Sequence, residues 1–293
     1  RGTLFDTVEK GGMLSVALVL VRAFMNPGIV STEGVEDMGL PVYGTVPHSE
    51  EEIKRGSRKL VKGGRPLAAL NPADISVEAI RSLRTSIHFA QMDAPNKVVM
   101  ITGASPAAGK SFLSANLAVS IASGGAKVLL IDADVRRGHM HRQFGIERSD
   151  GLTNYLQGTH SLEDVVIKGA EGSVDLVAMG EHAPNPSELL MHKRFADLIE
   201  WANENYDMVI IDTPPILAVT DPAIIGKLAG VSILVGRYAK ITLKEIEVAR
   251  ARFEQGGVNL NAFVLNDVIR SRRSSYGYAY YQYNYETDGA KAK

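Results

Sequence analysis

The sequence predicts an α/β fold, doubly wound around a mostly parallel sheet. Three observations predict it. Short apolar runs recur at 97–102, 126–132, 174–180, 208–212, 231–236 and 260–266. Helical stretches separate most of these runs. A glycine-rich loop, Gly103 to Ser111, lies between one apolar run and one helix. Continuous apolar strands alternating with helices mark a parallel sheet covered on both faces.

The elements follow in order. Residues 11–25 are apolar apart from Ser15 and Arg22. The stretch is shorter than the roughly 20 residues of a full membrane span. It reads as a buried or interfacial helix, a signal-like segment, or the end of a span cut by the start of this chain. The chain opens on Arg1 and is expected to be a piece of a longer protein. Residues 26–70 read as a connector. Ser31 and Thr32, followed by acidic residues, suggest a short capped helix. VYGTVP, 42–47, suggests a short strand stopped by Pro47. The charged stretch 49–66 reads as an exposed linker. A long helix is expected over 73–92. The run 97–102 enters the glycine-rich loop, and a helix follows over 110–123. The run 126–132 leads into short helical pieces as far as about 165. A further helix is expected from about 186.

Composition narrows the classes. The 293 residues are 45% hydrophobic with a net charge of −1, which suits a folded chain. A charge near zero argues against a nucleic-acid coat, so no nucleic-acid partner is expected. With no cysteine there is no disulfide, thiolate nucleophile or Cys-ligated zinc. Tyrosine is unevenly placed. Six of the ten lie between Tyr276 and Tyr285.

GASPAAGKS matches the phosphate-loop pattern GxxxxGK[ST]. It runs Gly103, Ala104, Ser105, Pro106, Ala107, Ala108, Gly109, Lys110, Ser111, and Phe112 follows. The two glycines let backbone N–H groups turn inward toward phosphate oxygens. The helix that starts there adds its positive end. Lys110 is placed for the terminal phosphates and Ser111 for Mg²⁺. The expected ligands are therefore ATP or ADP with Mg²⁺. MVIID ends in Asp212, placed to hold the ion through water; capping the next helix is the plainer role. VLLIDADVR puts Asp132 and Asp134 at a second strand end. One can serve the metal while the other takes a proton from an attacking hydroxyl. A capping Asp beside a solvated one is the plainer alternative.

Together, the phosphate loop, the apolar-DxDxR and apolar-DTPP motifs and the terminal tyrosines resemble the bacterial tyrosine kinases, over about residues 70–285. These are the cytoplasmic kinase parts of polysaccharide co-polymerases. The resemblance implies a P-loop NTPase fold close to that of partition and cell-division ATPases. It divides the chain into a membrane-proximal segment (1–70), a kinase domain (71–267) and a flexible autophosphorylation tail (268–293). Gly39–Pro47 resembles the family's link to its second membrane helix, which favours the cut span for 11–25. The implied location is the cytoplasmic side of the bacterial inner membrane.

The resemblance also implies roles. Lys110 binds the β- and γ-phosphates, Ser111 ligates Mg²⁺, and Asp134 and Asp212 organise the ion's shell. Asp132 activates the tyrosine hydroxyl, and Asn266 is a candidate contact for adenine. Glu78, Arg81 and Arg84 match an ExxRxxR motif that joins subunits into a ring, expected as an octamer. Spacing alone would make them an exposed helix face with one ion pair. The substrates would be Tyr276, Tyr278, Tyr280, Tyr281, Tyr283 and Tyr285 of neighbouring copies. Their alternation could instead mark a strand face. Fully phosphorylated, the tail would carry roughly −9 to −12 charges. That charge is expected to loosen the ring. Implied partners are a cognate tyrosine phosphatase and the polysaccharide polymerase and export machinery.

One departure stands out. Where many family members carry a Tyr and an Arg, this chain has His139 and Met179. No activating internal tyrosine is therefore expected at 139. Two other classes stay open: a partition-type ATPase, and a membrane scaffold controlled by nucleotide without kinase activity. The first usually has another Lys early in the loop, where this chain has Ala104 and Ser105.

Overall fold

The structure is a computed structural model, and it describes residues 28–51 and 64–269. The apolar segment 11–25, residues 52–63 of the charged linker and the tyrosines 276–285 lie outside the described residues. In chain order the elements are α1 (Glu33–Asp37), β1 (Val42–Pro47), α2 (Leu67–Leu70), α3 (Ile75–Met92), β2 (Val98–Gly103), α4 (Lys110–Ala122), β3 (Val128–Asp132), α5 (Met140–Gln143), α6 (Leu152–Gln157), α7 (Leu162–Val165), β4 (Val166–Glu171), β5 (Val174–Val177), α8 (Pro186–Met191), α9 (Lys193–Asn205), β6 (Met208–Asp212), α10 (Asp221–Gly226), β7 (Val231–Arg237), α11 (Leu243–Gln255) and β8 (Ala262–Val268).

The strands form one sheet in the order β1-β8-β7-β2-β6-β3-β5-β4. All neighbours are parallel except β4 and β5. The period-two rule sorts each central strand onto both faces. Val98 and Met100 join Leu129, Ile211 and Leu234 in one core, with Phe195 of α9 and Phe253 of α11. Val99 and Ile101 face the other core, with Leu130, Ile210 and Ile233, under α3 and α4. This is why those strands read as unbroken apolar runs.

The helices show the expected stripe. In α3, Val77, Ile80, Leu83 and Ile87 are buried. Asp74 caps this helix, accepting from the Ser76 N–H at 2.8 Å. Ser49 donates to the other Asp74 oxygen at 2.9 Å. In α1, Thr32 is the N-cap without a side-chain bond. Ser31 Oγ accepts from the Glu33 N–H instead, at 3.3 Å. No helix among the described residues is long and apolar enough to cross a membrane.

Two expectations are corrected. The connector assigned to 26–70 is partly built into the fold. β1 pairs in parallel with β8, and Leu67 of α2 is fully buried. The Ala68 N–H also donates to Asn116 of α4 at 2.7 Å. The strand over 42–47 lies where expected; its pairing with β8, distant in the chain, is what the local pattern does not show. The second correction is β4, an antiparallel strand that the apolar pattern does not show. It is an edge strand whose apolar residues are interrupted by Lys168, Gly169 and Glu171, and it is turned by Gly172 at φ +57°.

The sheet order positions the site. From β2 the chain crosses over β6 to reach β3, while β7 and β8 lie on the other side. The strand order reverses at β2, and the crevice beyond its carboxyl end is where such sheets bind ligands. The glycine-rich loop occupies that place.

Candidate active site

The loop is shaped by two left-handed residues. Gly109 has φ +88° and Ala107 φ +60°. A Cβ at Gly109 would overlap the Asn266 side chain, so the position requires glycine. A Cβ at Gly103 would lie 3.1 Å from both Ala108 Cβ and Lys110 Cδ, so the loop folds back over its own start. Ala104 and Ala108 are buried, Ser105 is half-buried, and Pro106 and Ala107 form the exposed crest. Gly109 is the N-cap of α4 and has no side chain to cap it. The first-turn N–H groups therefore face the loop with no side-chain acceptor, which suits a phosphate. Lys110 is buried at 9% exposure and makes no side-chain hydrogen bond or ion pair among the described residues. Phe112 turns away and packs against the core beneath α3 and α4.

Asn266 is buried on β8, two strands from β2. Its Nδ2 donates to the Ala108 carbonyl at 3.1 Å. The contact holds the loop from behind. β8 continues past Asn266 to Val268.

Asp132 and Asp212 meet at the sheet's carboxyl edge. They are register partners on adjacent parallel strands, at 1% and 2% exposure. Asp212 accepts from Ser111 Oγ at 2.7 Å and from Ser114 Oγ at 3.0 Å. Asp132 accepts from the Met140 N–H at 2.8 Å and from the Asp134 N–H at 3.3 Å. Burial pushes the Asp132 carboxyl well above the usual carboxylate range, and the Asp212 charge adds to this; the Met140 N–H opposes it. Burial also raises Asp212, against the pull of Lys110 and the two serines. Asp134 is less buried. Its Oδ1 accepts from the N–H groups of Arg137 at 2.9 Å and Arg136 at 3.3 Å. Thus Asp134 stabilises its own turn as well as facing the site, and the capping alternative is part of the geometry.

These residues fit a nucleotide with Mg²⁺. Two sealed carboxylates with raised proton affinity sit beside a phosphate-shaped loop, and a divalent cation would relieve both. Among the described residues, no group of three or more His, Asp or Glu side chains could hold a metal by itself. That also suits Mg²⁺, which takes one or two carboxylates and completes its shell with phosphate and water.

Ser114 is a site residue that the motifs do not show. Its signal is the spacing from Ser111, which puts both hydroxyls on one face of α4. Arg136 is bound away from the loop, to the buried Asp221. Gly138 is packed closely: a Cβ there would lie 2.6 Å from Met179 Cβ and 2.7 Å from both Asp132 carboxylate oxygens. His139 is exposed, with Nδ1 2.9 Å from the Arg137 carbonyl. Tyr155 and Tyr206 are buried at 7% and 2%.

On α3, Glu78 and Arg81 form an ion pair, and Arg81 also reaches the Pro72 carbonyl at 3.3 Å. Arg84 lies over Gly124 beyond α4, where a Cβ would overlap its guanidinium.

Comparison with known proteins finds relatives of this chain. A family profile described as an AAA domain matches residues 96–235. The putative tyrosine-protein kinase AmsA of Erwinia amylovora is 48% identical over 277 residues, covering 92% of this chain and 38% of that protein. A putative tyrosine-protein kinase in the cps region of Klebsiella pneumoniae is 46% identical, covering 91% of this chain and 38% of that protein. The solved kinase domain of Escherichia coli tyrosine kinase ETK superposes with a TM-score of 0.79 at 47% identity. That match covers 83% of this chain and 96% of the solved domain. The chain thus spans about two fifths of the length of the curated relatives it matches.

Proposed function

The chain belongs to the bacterial tyrosine-protein kinases, and on that premise we propose that it transfers the γ-phosphoryl group of ATP to tyrosines in the tails of neighbouring copies. The loop N–H groups and Lys110 bind and align the phosphates. Ser111, Asp134 and Asp212 would hold Mg²⁺, directly or through water. When bound, that ion supplies charge neutralisation across the phosphates. Asp132 accepts the phenolic proton as the tyrosine oxygen bonds to the γ-phosphorus. The bond from that phosphorus to the β–γ bridging oxygen breaks, and ADP leaves. Asn266 keeps its amide nitrogen on the loop and leaves its carbonyl oxygen for the exocyclic amine of adenine.

One observation supports a kinase over a simple ATPase. Asp132 is a second sealed carboxylate, beside Asp212, with a raised proton affinity. ATP hydrolysis needs only one group to orient water; transfer to a phenol uses a carboxylate that takes its proton.

We assign the substrates to Tyr276, Tyr278, Tyr280, Tyr281, Tyr283 and Tyr285. Glu78, Arg81 and Arg84 would join copies into a ring, and tail phosphorylation would loosen it. The domain would stand on the cytoplasmic face of the inner membrane, with 11–25 as the end of a span. The reaction would control capsule or exopolysaccharide polymerisation and export, with a phosphatase reversing it. The naming of the Klebsiella relative for a cps region supports this context.

The test is incubation of the full chain with ATP and Mg²⁺, then mass spectrometry of the tail. Phosphotyrosine should appear there and vanish in Lys110→Met and Asp132→Asn. ATP hydrolysis without phosphotyrosine would instead establish an ATPase.

A further inference from the structure

Asp221 has no role in the chemistry described so far, yet it is 0% exposed. A carboxylate buried this deeply is retained only when donors surround it. Arg136 donates to it through Nε at 2.8 Å and Nη2 at 3.2 Å. Ser187 Oγ donates at 2.6 Å, and Arg136 Nη2 reaches Ser187 Oγ at 2.8 Å. The three residues come from three different segments. Arg136 follows β3, Ser187 opens α8, and Asp221 opens α10 after β6.

Two of these segments, those of Arg136 and Asp221, are also tied to the site. The Arg136 N–H bonds Asp134 Oδ1, so one residue fixes the Asp134 turn by its backbone and anchors it by its guanidinium. The segment between Asp212 and Asp221 is bound to the phosphate loop. Its Ile216 N–H donates to the Gly103 carbonyl at 2.9 Å, and its Leu217 N–H to the Ala104 carbonyl at 3.1 Å. Hydrogen bonds therefore run from Asp134 through Arg136 to Asp221, and the short stretch of chain between Asp221 and Leu217 carries the link on to the loop that cradles phosphate. A buried ion pair is seldom more stabilising than apolar packing of the same volume. What it supplies here is a fixed distance between two segments.

We propose that Asp221 is a positioning residue: through Arg136 it sets Asp134 against the phosphate loop and Asp212, so that the pair can share one Mg²⁺. This rests on the reading above that Asp134 and Asp212 serve the ion. Removing a partner that orients a metal ligand lowers metal affinity by about 10–100-fold.

The experiment measures ADP binding to the full chain by calorimetry across a Mg²⁺ series. The variants are Asp221→Asn, which keeps shape and a bond to Ser187, and the milder Ser187→Ala. In Asp221→Asn the Mg²⁺ concentration for half effect should rise by about tenfold, while ADP affinity without Mg²⁺ stays within about twofold of the parent. Ser187→Ala should move the midpoint less, in the same direction. An unmoved midpoint in a folded Asp221→Asn would overturn the proposal, even with a lowered melting temperature. Should that variant not fold, an unmoved midpoint in Ser187→Ala overturns it. If Mg²⁺ leaves ADP affinity unchanged in the parent, the assignment of Asp134 and Asp212 to the ion fails, and this inference with it. A responsive parent matched by its variants sinks the inference alone.

Discussion

Asp132 and Asp212 are register partners at the carboxyl ends of adjacent parallel strands, and both are sealed from solvent. Burial makes both costly to ionise; the Asp212 charge adds to the cost at Asp132, and the Asp134 charge adds to it at Asp212. Their folded proton affinities are raised, so the folded chain holds protons that the unfolded chain releases. The stability this gives is full below the ordinary carboxylate pKa and is lost as pH rises through the raised folded values. Asp212→Asn removes one of the two charges. Ser111 and Ser114 can keep their bonds, because a hydroxyl can donate or accept. The nucleotide-free variant should gain stability at neutral pH. Melting temperature should rise by about 2–4 °C per kcal/mol and depend less on pH. Thermal unfolding at two pH values checks this, and a less stable variant would contradict it.

The same burial sets the pH dependence of the proposed reaction. Asp132 must be ionised to accept the phenolic proton, and its raised value shifts that ionisation upward. The acid limb of kcat/KM, which reports the free enzyme, should lie above the range of an ordinary carboxylate. Bound Mg²⁺ stabilises the ionised forms, so the limb of kcat at saturating Mg·ATP should lie lower than that of kcat/KM. Initial rates across pH test the order of the two limbs. Coincident limbs would mean that Asp132 does not feel the ion.

The loop's shape gives a third prediction. Gly109 combines a left-handed φ with direct contact to Asn266. Gly109→Ala should cost about 1–2 kcal/mol for the backbone conformation, plus displacement of Asn266. Nucleotide affinity should fall by tenfold or more, and the melting temperature should fall by about 2–4 °C per kcal/mol lost. Asn266→Ala leaves the loop conformation allowed but unbraced, and should weaken ADP binding less. Calorimetry on both variants checks the ranking; equal losses would place the Asn266 effect on the base and not on the loop.

Much of this was legible in the sequence, and the boundary has a physical cause. Strands β2, β3, β6, β7 and β8 are buried on both faces, so each announced itself as an apolar run, and the loop stood where strand meets helix. Edge strands lack that signature. β1 is nonetheless legible at its observed bounds, 42–47, though its place beside β8 is not; β4 carries Lys168, Gly169 and Glu171 where a central strand would carry Val or Ile. The Gly172–Ser173 pair was a hairpin signal for β4 that polarity obscured. Within the site, Lys110, Asp132 and Asp212 could be found because motif spacing encodes their positions. Asp221 could not, since its partners Arg136 and Ser187 come together only when three loops converge.

The outer face of α3 carries the last prediction. Ile75, Glu78, Ser82, Thr85, Phe89 and Met92 are exposed and recur at alternating spacings of three and four. That spacing forms a seam along one side of a helix. Its ends are apolar, with Ile75, Phe89 and Met92 exposed at 43%, 63% and 71%. Arg81 and Arg84 flank it, and Arg81 already spends part of its guanidinium on Glu78. If this face joins copies, Phe89→Ser with Met92→Ser should lower the mass measured by light scattering to that of a monomer. Surface substitutions away from structural features usually change stability by no more than about 0.5 kcal/mol, so the melting temperature should hold. Arg84→Glu should give the same loss by reversing charge. Phosphorylation in trans should then fall steeply at low protein concentration while ADP affinity is unchanged. An unaltered mass in both variants would move the contact to another face.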